Sequence, residues 1–148
     1  MYSIPLLERI CDLLIARGLL LEGHKRDVLV RHSVQEKRIH LERQQALRRL
    51  AGRRKLSYEV SEIELIASFR FPLPGSDDQQ LTEASITEAV AKDAGFPFVV
   101  IDPLALDFRL VTATFPGPFA EKHLVVPLKL VQNTLTVAVA NPYNQELL

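Results

Sequence analysis

Absences set the first limits on this chain. Its 148 residues include a single cysteine, Cys11, which excludes an internal disulfide framework and fits a reducing compartment. In its helical setting Cys11 reads as a small buried hydrophobe rather than a nucleophile. No apolar run approaches the roughly 18 residues of a membrane span, and the opening MYSIPLLERICDLL lacks the basic region and small-residue cleavage site of a signal peptide. A cytoplasmic protein is expected. No Gly-x-x-x-x-Gly-Lys-Ser/Thr occurs, so this stretch cannot hydrolyse a nucleotide with a P-loop. Paired cysteines and a His-x-x-x-His spacing are also missing. His24, His32 and His40 recur every eight residues, which turns each ring by about 80° from the last on a helix, so the three cannot converge on a metal. His123 stands alone beside a strand. Ser57, Ser61, Ser76 and Ser85 lie at cap-like positions, and Asp102, directly before Pro103, is a cap before it is half of a carboxylate pair with Asp107. The residues assemble no catalytic set, and no metal or other cofactor is expected.

What is present is an ordinary soluble composition, 47% hydrophobic and 24% charged, enough for one domain or two small ones. The formal net charge of zero conceals an uneven distribution. Between Lys37 and Lys55 the basic residues are Lys37, Arg38, Arg43, Arg48, Arg49, Arg53, Arg54 and Lys55, against the single acid Glu42. Between Leu56 and Glu88 the balance reverses, with Glu59, Glu62, Glu64, Asp77, Asp78, Glu83 and Glu88 facing only Arg70. The plain reading is internal, a basic helix near an acidic segment. Contact with an anionic membrane through Arg48, Arg49, Arg53, Arg54 and Lys55 is the external alternative. Nucleic acid is not expected, because no aromatic lies between Lys37 and Lys55 to stack a base.

The local signals are sharp. Leu6, Leu7, Ile10, Leu13 and Leu14 recur at helical spacing, with Pro5 in the first turn and Gly18 just past the end. A second helix starts near Glu22 or Gly23 and carries Val28 and Leu29. The pattern stays helical to Leu50, with Ile39, Ala46, Leu47 and Leu50 as its narrow buried face. Ser61-Glu62-Ile63-Glu64 has capping-box spacing for a helix to Phe69, with Ile63 and Ile66 inward. The stretch Phe71 to Gln80, with two prolines, a glycine and paired Asp, has linker chemistry.

Beyond it, Thr82 is a fitting N-cap, Leu81 a staple onto Ile86, and Gly95 a C′ residue closing the helix before Pro97. Phe98-Val99-Val100-Ile101 is short, β-branched and apolar, which predicts a buried strand. Short helices are expected around Arg109 to Thr114 and after Pro118. Strands Leu124 to Leu130 and Leu135 to Ala140 then flank Gln132-Asn133 as a hairpin. The expected class is α+β: a helical N-terminal subdomain with its linker over residues 1–75, and a small α/β subdomain over residues 76–148 with a short mixed or antiparallel sheet. Ile86, Val90, Val99, Ile101, Val125, Leu135, Val137 and Val139 are its expected core. Asn141-Pro142 looks like the start of a further helix, so the chain reads as a fragment of something longer.

Two groups of residues carry a resemblance. AKDAGFPFVVID matches a helix, a Gly-apolar-Pro turn and a short strand closing on an acid. PFAEKHLVVPLKLVQNTLTVAVANPYN matches a helix, a basic-His-apolar-Pro-Leu strand, a hairpin and an Ala-apolar-Ala-Asn-Pro ending. In this the chain resembles the N-terminal domain of the ATPases that power type II secretion and type IV pilus assembly. The resemblance implies a non-catalytic docking and regulatory domain, attached to its own ATPase domain, which would hold ATP and Mg. It also implies binding to the cytoplasmic part of an inner-membrane component, and so a cytoplasmic location at that membrane. The exposed apolar part of the first helix, Leu6, Leu7 and Ile10, is the expected partner contact, its alternative being packing on the second helix.

The stretch from Arg9 to Leu20 is similar to a motif that some members of the family use in tandem to bind cyclic di-GMP. That resemblance would give ligand roles to Arg9, Gly18 and His32. Here Cys11 stands for the motif's first Gly, Lys25 for a Leu and His32 for a Gln, and no second copy is found. The alternative is a solvated Arg9 and a Gly18 that only caps its helix.

Overall fold

A computed structural model describes residues 2–49 and 59–143. The chain packs as two units, Met1–Val90 and Ala91–Leu148.

The first unit is helical. Helix α1 (Ile4–Ala16) starts at Ser3, whose hydroxyl accepts the Leu6 N–H, and its Leu7, Ile10, Cys11 and Leu14 are buried. Gly18 closes it at φ 71°. The Leu19 N–H reaches back to the Leu14 carbonyl at 2.8 Å, a Schellman-type ending that a residue without Cβ adopts at no steric cost. Helix α2 (Glu22–Arg49) is long and polar and buries Val28 and Ile39. Of the other apolar positions expected inward on α2, Leu47 is half-buried and Ala46 exposed, while Leu50 lies outside the described residues. Helix α3 (Glu62–Ser68) is capped by Ser61, whose Oγ accepts the Glu64 N–H, and it buries Leu65 and Ile66. Ile63 is only half-buried. The expected capping box is half formed, because the Glu64 carboxylate pairs with Arg43 of α2. Helices α1, α2 and α3 pack on one another. The fully buried Leu7, Leu14, Leu65 and Ile86 lie in this core with Val28 and Val90, each large aliphatic side chain contributing about 1.5–3 kcal/mol by leaving water.

The segment expected to be a linker is a closed loop. Pro72 and Gln80 form an antiparallel bridge. The Leu81 N–H donates to the Phe71 carbonyl and the Leu73 N–H to that of Gln79, both at 2.8 Å. Phe71 and Leu81 are buried, and the Phe71 ring stacks on His24 and Phe69. Helix α4 (Glu83–Ala94) follows, with the Thr82 hydroxyl accepting the Ser85 N–H at 3.2 Å. Leu81, Ile86, Ala89 and Val90 are all buried in the first unit. The division between units therefore falls at Val90/Ala91, inside α4, rather than at 75/76. Apolar burial, not linker composition, decides where a compact unit ends.

In the second unit α4 ends at Gly95, φ 77°, and a 3-10 turn over Pro103–Ala105 is capped by Asp102. Helix α5 (Phe108–Thr114) is capped by Asp107, and α6 (Gly117–His123) follows. Strands β1 (Val125–Val131) and β2 (Thr134–Val139) pair antiparallel, with an irregularity between Pro127 and Lys129. Their turn sets Gln132 and Asn133 at φ 49° and 64°, the paired left-handed conformation of a tight hairpin. Helices α5 and α6 pack on β1, where Val125 is buried. The Tyr143 hydroxyl donates to Asp93.

The expected strand over residues 98–101 is not formed. Among the described residues the sheet holds only β1 and β2, and the segment pairs with neither. Val99, Leu135 and Val139 are exposed, Ile101 lies outside the buried set and Val137 is only half-buried. Of the core residues expected from sequence in this unit, only Val125 is buried, and Ala91 and Pro127 join it among the described residues.

Candidate functional site

Of the three partner-contact residues, Leu7 and Ile10 are buried in the helical core and Leu6 is half-buried. The apolar face of α1 is occupied by α2 and α3, which corrects the expectation that it is free to dock. The ligand residues are not gathered either. Gly18 closes the C-terminal end of α1, whereas His32 Nδ1 lies 2.6 Å from the hydroxyl of Tyr2, ahead of its N-terminal end. Arg9 is exposed on α1. Cys11 packs without exposure, and burial pushes its thiol up to about 12. Lys25 ties α2 to α1 by ion pairs to Asp12 at 2.6 Å and Glu8 at 3.5 Å. Arg48 and Arg49 are exposed in the last turn of α2, while Arg53, Arg54 and Lys55 lie outside the described residues. Among the described residues no His, Cys, Asp and Glu gather to hold a metal ion, and no helix is long and apolar enough to cross a membrane.

Two features remain. The first is an open cleft of about 510 Å³ in the helical unit, lined in part by Ile39, Arg43, Glu64, Arg70, Leu81 and Glu83. Arg43 and Glu64, both in its lining, pair with one another. The Glu83 carboxyl is held above its ordinary value by loss of hydration and by the Glu64 charge, against the lowering pull of Arg43. The Arg43–Glu64 pair ties α2 to α3 across this cleft.

The second is an apolar ribbon in the second unit. Phe96, Val99, Val100, Leu104 and Phe108 are exposed within thirteen consecutive positions, Val100 by 78%, Leu104 by 94% and Phe108 by 77%. Five exposed apolar side chains so close together in sequence make this stretch the candidate for an interaction surface. It arises from the strand that does not form: the β-branched run Val99-Val100-Ile101 keeps its strand chemistry without a partner strand. Sequence patterning identified the run and missed its exposure, since an apolar run looks the same whether the chain or another molecule covers it.

The family model of the MshEN domain matches residues 94–148. No curated protein and no solved structure matches the chain.

Proposed function

We propose that this chain is a docking and regulatory module of a secretion or pilus assembly ATPase. In this reading hydrolysis resides in an ATPase domain elsewhere in the full protein, and the module connects that motor to the cytoplasmic part of an inner-membrane component. The observation that carries the reading is that the exposed ribbon from Phe96 to Phe108 lies within the segment matched by the MshEN domain. A domain that shows uncovered apolar side chains among its described residues is suited to holding another protein. Aromatic and aliphatic anchors supply most of the energy in such contacts.

The test is a titration of the chain with the cytoplasmic domain of the membrane component. Saturable binding is expected, and Val100→Asp or Leu104→Asp should weaken it at least about tenfold, the effect of removing one anchor of roughly 1.4 kcal/mol. Both side chains are exposed, so the variants should keep the wild-type circular dichroism. Absence of binding at high micromolar concentration, or full binding by both variants, overturns the reading.

A further inference from the structure

The inner face of α2 is defined by its contacts. Lys25 pairs with α1, Val28 and Ile39 are buried, Gln35 donates to the Ser68 carbonyl at 3.1 Å, and Arg43 pairs with Glu64. At 100° per residue these side chains cluster on one side of the helix. On the opposite side lie Val30, Val34 and Leu41, exposed by 80%, 70% and 56%. Their directions fall within about 40° of one another and span roughly 16 Å along the axis. Basic residues flank the stripe and interrupt it: Arg31 and Arg38 on one side, Lys37 on the other, and Arg48 in line with it beyond Leu41, all exposed. The acids of this face are Asp27 and Glu42, and Glu42 is paired with Arg38 at 3.1 Å.

We infer that the outer face of α2 is a second interaction surface, one that lies flat on an anionic lipid bilayer. Charge complementarity selects an anionic partner and disfavours a second copy of this chain, whose own basic flanks would be opposed. A lipid surface suits the face better than a partner helix. Val30, Val34 and Leu41 have heptad spacing, but the other contact positions of that seam are Lys37, between them, and Gln44 and Arg48, beyond Leu41. A packed helix would bury those polar ends, whereas at a membrane their stems lie along the acyl boundary and their heads rise to the lipid phosphates. The surface is separate from the ribbon in the second unit and does not depend on the docking reading.

Sedimentation of the whole chain with phosphatidylcholine vesicles, and with vesicles containing about one third phosphatidylglycerol, tests the inference. Binding is expected only to the anionic vesicles and should be screened at about 0.5 M salt. Lys37→Gln and Arg31→Gln should each weaken it about fivefold. Val34→Ser with Leu41→Ser should weaken it with no change in charge. Circular dichroism should be unchanged in all variants, since these side chains are exposed. Absence of sedimentation, equal sedimentation with both vesicles, or undiminished binding by the Val34/Leu41 variant overturns the inference. Failure with vesicles, together with capture of an acidic heptad peptide, also overturns it and assigns the face to a protein helix.

Discussion

The Glu62 carboxylate accepts the backbone N–H of Ser3 at 2.7 Å, across 59 positions of sequence. The first residue of α3 thus secures the cap of α1, and Glu62 is itself only 9% exposed. Glu62→Ala should lower stability by about 1–3 kcal/mol, the loss of a hydrogen bond to a charged and largely buried acceptor. Glu62→Gln, which keeps an acceptor oxygen, should lose less. Urea unfolding of the two variants beside the wild type measures the difference.

Cys11 should be inert in the folded protein. Burial holds its thiol near 12, so almost none is thiolate at mildly alkaline pH, and the side chain is enclosed. A thiol-specific disulfide reagent should react only as fast as the helical unit opens. In denaturing urea, where the thiol returns to about 8.5, reaction should be rapid. Fast labelling under native conditions would show that the α1 packing is wrong.

Glu83 predicts a pH dependence of defined sign. Its carboxyl is raised in the fold, chiefly by burial and then by Glu64, so the folded state holds the proton more tightly than the unfolded chain. Stability therefore falls as pH rises from the ordinary Glu value through the folded one, and stays lower above it. Glu83→Gln should raise the urea midpoint at neutral pH. That gain should disappear below the ordinary Glu value, where the carboxyl is protonated in both states.

Gly18 sits at φ 71° with nothing within 4 Å of the place a Cβ would occupy. Its substitution by Ala meets no clash, and the left-handed backbone alone should cost about 1–2 kcal/mol. Thermal unfolding of Gly18→Ala checks this, and a cost near zero would show that the α1 ending rearranges.

Fragment stability follows from the core. A chain of residues 1–94 retains Leu7, Leu14, Leu65, Leu81, Ile86 and Val90, all buried, and should unfold cooperatively in urea. A chain of residues 81–148 keeps Leu81, Ile86 and Val90 without the helices that cover them, and should not. The opposite result would restore a boundary at residues 71–80.

What the sequence by itself determined is the local structure. Ser61 as the cap of α3, Gly18 and Gly95 as helix ends, Asp102 before a 3-10 turn, and the hairpin around Gln132-Asn133 all follow from interactions spanning a few residues, and these are printed in the chain. Tertiary structure alone decided which apolar face meets which. Leu7 and Ile10 look like a free docking stripe until α2 and α3 cover them, and Val99 to Ile101 look like a core strand until no strand arrives beside them. Phe71 to Gln80 reads as a linker by its prolines and glycine, yet the buried side chains of Phe71 and Leu81 at its two ends draw it into a closed loop. Burial depends on partners far away in sequence, and an apolar side chain carries no mark of which one it will find.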